Sequence, residues 1–321
     1  MAFGSARRWG RLLGGLLLLA VALQGGGCGG EDDISPVGGS PSARKDDAAQ
    51  PGGREAMRTG PEMRSLRLGE GLTLDLVWVP GGSFQVAVPR TALRSLWRDE
   101  DPAPRLPPRQ VRVAGFWMGK FEVTNRQFRR FAPAHDSGEY QGVGLNGDSQ
   151  PAVNVSPEDA RAFCRWLSDL TSETLRLPTD AEWEYACRAG AETTWFWGGD
   201  EAAMGRYANV ADTALREMWP GAAIAKTSDG FAVAAPVGSL RPNAFGLFDM
   251  VGNALEWCED ARTAGRGAGA GARQAATRLL EGGSWGSIPE SPTEARQSYA
   301  AAFRDVYGGF RVVGELPSPP R

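Results

Sequence analysis

The chain has 321 residues, 42% of them hydrophobic, with 43 Gly, 22 Pro, 11 Trp and a formal charge of −3. That suits one large folded domain rich in loops and held by aromatic side chains, and argues against a helical bundle. There is one histidine, His135, which argues against zinc hydrolases, histidine-ligated iron oxygenases and Ser-His-Asp hydrolases together, since each needs a well-placed imidazole.

Residues 1–27 read as an export signal. "MAFGSARRWGR" carries three arginines and no acid, and "LLGGLLLLAVAL" is an apolar run too short to span a bilayer comfortably. "QGGGCGG" then leads into Cys28. A cysteine in that place resembles a bacterial lipoprotein signal, whose thiol is acylated after cleavage, although Gly25 stands where Leu is usual; ordinary secretion with cleavage nearby is the alternative. Removing residues 1–27 leaves 32 basic against 38 acidic residues, a balance that recruits no nucleic acid. Residues 28–65, rich in Gly, Pro, Ser and charge, read as a flexible tether, residues 66–316 as the folded domain and residues 317–321 as a tail.

Within the domain, "LDLVWVPGGSFQVAV" (74–88) reads as a hairpin turning at Pro-Gly-Gly, and "RQVRVAGFWMGKFEV" (109–123) as another strand pair. Three helices begin at capping boxes: Thr124 with Gln127, Ser156 with Asp159 and Pro157 at the first helical position, and Thr179 with Glu182. His135, in "APAHDSGEYQG", reads as an exposed loop residue. Cys164 and Cys187 fall on apolar helix faces and read as core; with Cys258 the domain count is odd, so at least one thiol stays unpaired, and a Cys164–Cys187 bridge stays open. Beyond residue 190 helical periodicity fades. Residues 261–278, a Gly/Ala/Arg tract, read as a mobile surface insertion, and "YGGFRVV" as a closing strand.

Oxygen ligands concentrate between residues 200 and 260. Asp249 and Glu256 bracket a Gly-Asn turn, and "ANV" (208–210) and "SDGF" (228–231) add an amide and a carboxylate. Carboxylates with turn carbonyls suit Ca²⁺, which accepts six to eight oxygens; the same residues also simply make turns.

"VWVPGGSF", "FEVTNRQFRRF", "PAVNVSPEDARAFCRWLS", "RLPTDAEWEYACRAG", "PNAFGLFDMVGNALEW", "EGGSW" and "GGFRVV" occur in this order. Over residues 72–314 the chain thereby resembles the formylglycine-generating enzyme, or sulfatase-modifying factor, family. The resemblance implies an α+β, C-type-lectin-like fold with little regular secondary structure and two calcium sites. One maps onto the side chains of Asn209 and Asp229 with the carbonyls of Val210 and Phe231. The other maps onto the side chains of Asp249 and Glu256 with the carbonyls of Gly252 and Ala254. Active members continue the "GGSW" turn with two cysteines whose thiolates bind Cu(I), a soft ion that favours sulfur. Here those positions are Ser287 and Pro292, so copper is not expected and the catalytic set is degenerate.

The expectation is therefore an exported, calcium-stabilised binding or scaffold module. It would be anchored through Cys28 at an outer membrane or cell surface, otherwise periplasmic or secreted, with a protein or glycan partner and no nucleic acid. The alternative is an oxidase or other enzyme of the family using an unrecognised site, such as a groove near Trp285, Arg296, Arg304 and Arg311.

Overall fold

A computed structural model describes residues 60–86, 109–222, 224–262, 277–287, 297–300 and 302–319. The export signal, Cys28, Pro292 and Arg296 lie outside these residues, as does most of the 28–65 tether. Among the described residues no helix is long and apolar enough to cross a membrane.

Alternating burial sets the first two strands, β1 (Met63–Gly69) and β2 (Leu72–Val79). They pair antiparallel across Glu70-Gly71, both at positive φ as a two-residue hairpin turn requires. Met63, Arg64 and Ser65 lie opposite Val77, Leu76 and Asp75, so the tether ends before residue 63 and not at 65.

The Pro-Gly-Gly stretch is not a hairpin turn. β2, β3 (Gly82–Val86), β4 (Arg109–Val113) and β5 (Phe116–Gly119) form one antiparallel ribbon bent in the middle: Val79 faces Phe116, and Gly82 faces Val113. Residues 109–123 likewise hold two strands that pair with this first arm and not with each other. The bend needs glycine on both arms. A Cβ on Gly81 would lie 2.8 Å from the Gly115 nitrogen, and one on Gly115 would lie 2.5 Å from the Trp78 ring.

Helices α1 (Asn125–Phe131), α2 (Pro157–Thr171) and α3 (Asp180–Arg188) start at Thr124, Ser156 and Thr179, each with both arms of its capping box formed. A short α4 (Thr213–Met218), capped by Asp212, follows where the sequence shows no helical period. β6 (Glu139–Tyr140) and β7 (Val143–Gly144) make a small hairpin, and β8 (Leu175–Arg176) follows α2. The remaining strands are β9 (Leu255–Arg262), β10 (Thr277–Glu281), β11 (Gln297–Ala300), β12 (Gly308–Gly309) and β13 (Val313–Gly314). One sheet runs β1-β2-β5-β13-β8 and another β11-β10-β9-β12.

The ends of the 261–278 tract belong to the second sheet, with Ala261 opposite Arg278 and Arg262 opposite Thr277. What lies between, 263–276, is outside the described residues. At the other end of the domain the Pro317 carbonyl accepts a 3.0 Å bond from Trp117 Nε1, so the assigned tail is tied down at its first residue.

α2 buries Ala160, Phe163, Cys164 and Leu167, where Phe163 packs against Phe128 of α1 and Phe310. Cys187 and Cys258 belong to a second core cluster with Trp183 and Met250. All three domain cysteines are free and buried, so no Cys164–Cys187 bridge forms. His135 is half-buried rather than exposed: its ring packs edge-on against Phe128, and Nε2 lies 3.1 Å from Ser137 Oγ.

Glu182 shows how a cap extends into tertiary structure. One carboxylate accepts from the Thr179 N–H at 2.8 Å and from both terminal nitrogens of Arg176 at 2.7 Å. Burial raises its pKa, but the Arg176 fork and Thr179 outweigh that and hold it below the ordinary value. A depressed carboxylate contributes stability above its unfolded pKa, and the contribution is lost as pH falls through the folded value. Glu182→Gln is therefore expected to lose about 1–2 kcal/mol at neutral pH, and the loss should shrink as pH falls below the ordinary carboxylate range, as urea unfolding at neutral and acid pH would read.

Candidate functional site

Arg311, between β12 and β13, is 0% exposed. Its Nε and Nη2 meet the two oxygens of Glu256 on β9, each at 2.6 Å, while Nη1 and Nη2 donate to the carbonyls of Gly119 and Phe248 at 3.1 and 3.0 Å. Trp183 Nε1 donates to Glu256 Oε2 at 2.7 Å. Such a fork satisfies a buried carboxylate bidentately. Arg311 is thus a core cation and not part of a groove. Trp285 is buried, and Arg304 is 53% exposed in a pair with Asp159, so the described members of the suspected groove do not converge.

Two further carboxylates share this interior. Asp249 sits at φ +56 and accepts from the Gly238 N–H at 2.7 Å. Glu122, within "FEV", accepts from Asn253 Nδ2 at 3.1 and 3.3 Å and from the Ala254 N–H at 3.2 Å. Burial, then repulsion by Asp249 and Glu256, drives Glu122 well above the ordinary carboxylate range against the pull of Arg311. Burial likewise pushes Asp249 up to about 6, opposed by the Gly238 N–H, Arg311 and a hydrogen bond with Glu122. Three carboxylates face one guanidinium, a balance that a bound cation would correct. Among the described residues Glu256 Oε1 accepts from Arg311 Nη2 alone, so a lone pair remains for one. Asp249 and Glu256, the side chains of the second predicted set, therefore share one buried interior with Glu122. Sequence reading passed over Glu122; an acid enclosed by Phe121 and Val123 in a strand-like run was its only signal.

In the first predicted set Asp229 is bonded to the main chain next to Asn209. Asn209 is buried, its Nδ2 donates to the Val233 carbonyl and to Asn253 Oδ1 at 3.0 and 3.1 Å, and its Oδ1 has no partner among the described residues. A buried oxygen without a donor is costly, and a cation satisfies it. The Asp229 carboxylate accepts from the N–H groups of Val210 at 2.9 Å and Phe231 at 2.8 Å, the two residues whose carbonyls the family resemblance assigns to this set. Burial pushes Asp229 up to about 7, those two N–H groups hold it down and Asp212 adds repulsion. These residues fit a hard cation. Among the described residues no group of three or more His, Cys, Asp or Glu side chains is placed to hold a metal ion, so a cation at either place would depend on main-chain carbonyls as well.

The turn that carries Ser287 adjoins the first site. Ser287 Oγ accepts from the Ser284 N–H and lies 3.1 Å from Ser284 Oγ, while its carbonyl accepts from the Ala211 N–H at 2.9 Å. A hydroxyl so engaged is no soft-metal ligand. Cys164, Cys187 and Cys258 are core thiols whose pKa values burial drives upward, which disfavours the thiolates a copper ion needs. The described residues therefore do not fit Cu(I).

Residues 69–316 match the sequence pattern of the Sulfatase-modifying factor enzyme 1-like domain. The chain is 28% identical to the formylglycine-generating enzyme of Mus musculus, over 75% of this chain and 70% of the relative. It is 28% identical to the inactive C-alpha-formylglycine-generating enzyme 2 of Bos taurus, over 79% of this chain and 94% of the relative. The solved structure of PvdO from Pseudomonas aeruginosa superposes on 80% of this chain and 100% of its own, with a TM-score of 0.59 and 26% identity. The fold is the C-type-lectin-like fold of formylglycine-generating enzymes. The chain belongs to the sulfatase-modifying factor family.

Proposed function

We propose that this chain is a non-catalytic member of its family: an exported domain, anchored through Cys28 and stabilised by two calcium ions, that serves as a binding or scaffold module for a protein or glycan. The observation that carries the reading is Ser287, a hydroxyl paired with Ser284 where active relatives place a copper thiolate. That a bovine relative is described as inactive supports the loss of chemistry on this scaffold. The unpartnered Asn209 Oδ1 and the excess of buried carboxylates support the calcium.

The test uses the purified full-length chain. With Ca²⁺, Cu(I), O₂ and a Cys-x-Pro-x-Arg peptide, mass spectrometry is expected to find no formylglycine above the copper-only control while an active family member converts the peptide in parallel; conversion would overturn the reading. Calcium at a hundred times Kd should add about 2.7 kcal/mol per site to unfolding stability, and EDTA should remove it.

A further inference from the structure

We propose that Asn253 orients the first calcium site and couples it to the second, so that the two sites bind calcium with positive cooperativity. This rests on the calcium reading above.

Donor and acceptor roles fix the orientation of both amides. Asn253 is 0% exposed, at φ +59. Its Oδ1 accepts from the Ala235 main-chain N–H at 2.8 Å, and a main-chain N–H only donates. Oδ1 therefore faces Ala235, and Nδ2 faces Glu122, where it donates to both carboxylate oxygens. The same Oδ1 lies 3.1 Å from Asn209 Nδ2. Because that neighbour is an acceptor, as is the Val233 carbonyl on the other side, the Asn209 amide has only one satisfactory orientation. Its nitrogen faces Asn253 and Val233, and its oxygen is left for the cation. Asn253 thus fixes the rotamer of a ligand it does not replace, as outer partners of metal ligands do.

One side chain therefore spans from a ligand of the first site to the acidic group around the second. The main chain repeats the link: Asn253 N–H donates to the Asn209 carbonyl at 2.7 Å, and Gly252, whose carbonyl belongs to the second set, bridges Asn209 in parallel. The connection reaches the Ser287 turn too, since Trp285 N–H donates to the Asn253 carbonyl at 3.0 Å and Ala211 N–H to the Ser287 carbonyl at 2.9 Å. Filling either site fixes Asn253, and a fixed Asn253 presents the other site already ordered. The second ion then binds without the ordering loss that the first has met.

Calcium titration of the chelator-stripped full-length chain by calorimetry, with hydrogen exchange of the Trp285 and Ala211 amides, tests this. Wild type should take two ions, and both amides should gain protection together. Asp229→Asn removes the first site's charge and should weaken the remaining ion at least about fivefold. Asn253→Gly keeps the left-handed backbone and deletes the amide; in that background Asp229→Asn should leave the remaining ion unaffected. If Asp229→Asn leaves the second affinity unchanged or tightens it with Asn253 intact, the coupling is refuted. That comparison also decides the matter should Asn253→Gly fail to fold. A wild type that binds one ion refutes the coupling and one of the two proposed sites, whereas one that binds none refutes the calcium reading itself.

Discussion

Arg311→Met is expected to destabilise the domain by about 3–5 kcal/mol, the range for removing one partner of a buried ion pair. The reason lies in what stays behind. Glu256 loses both 2.6 Å bonds, Glu122 and Asp249 lose the positive charge that holds their pKa values down, and the carbonyls of Gly119 and Phe248 lose a donor. Lysine would not restore this, because a single ammonium cannot span two carboxylate oxygens and two carbonyls as a planar fork does. Arg304→Met is the matched control: Arg304 is 53% exposed and pairs with Asp159 on the surface, so its loss should stay below about 1 kcal/mol. Urea unfolding with a common m-value reads both. Calcium should narrow the Arg311→Met deficit, since a divalent ion answers the same surplus of negative charge. Equal effects at the two arginines would mean that water reaches Glu256.

How far the sequence could be read depends on the distance over which each feature is decided. The three capping boxes were readable because Thr124, Ser156 and Thr179 and their partners lie within one helical turn. Both proposed calcium sets come from ordered motifs, and the substitution of Ser287 was plain because thiol and hydroxyl differ in chemistry wherever they sit. The bend at Pro80-Gly81 was misread. A Pro-Gly-Gly run serves a turn or a bend equally, and only the approach of Gly115 from 34 positions away selects the bend. Arg311 entered the candidate groove because nothing beside it in "GGFRVV" announces Glu256, its partner 55 positions away in the chain. Asn253 and Glu122 were hidden inside motifs read for their neighbours.

Gly252→Ala should be among the most damaging single-methyl changes in the domain, costing about 3 kcal/mol or more. Gly252 has φ +79, where an L-residue loses about 1–2 kcal/mol. Its added Cβ would also sit 2.0 Å from the Asn209 carbonyl oxygen and 2.7 Å from the carbonyl carbon. Those atoms are main chain and cannot rotate away, so overlap adds about 1–3 kcal/mol. Gly71→Ala separates the two terms: φ there is +74 and nothing lies within 4 Å of the new Cβ, so strain alone should cost about 1 kcal/mol. The difference between the variants, read by denaturant unfolding, measures how rigidly the 209 and 252 segments are held together. Calcium titration should then show the Gly252→Ala chain losing affinity at both sites, because pushing Asn209 away displaces a side-chain ligand of one and a carbonyl ligand of the other. Were the two glycine variants equally mild, residues 209 and 252 could part without loss, and no single hydrogen-bonded unit would join the sites.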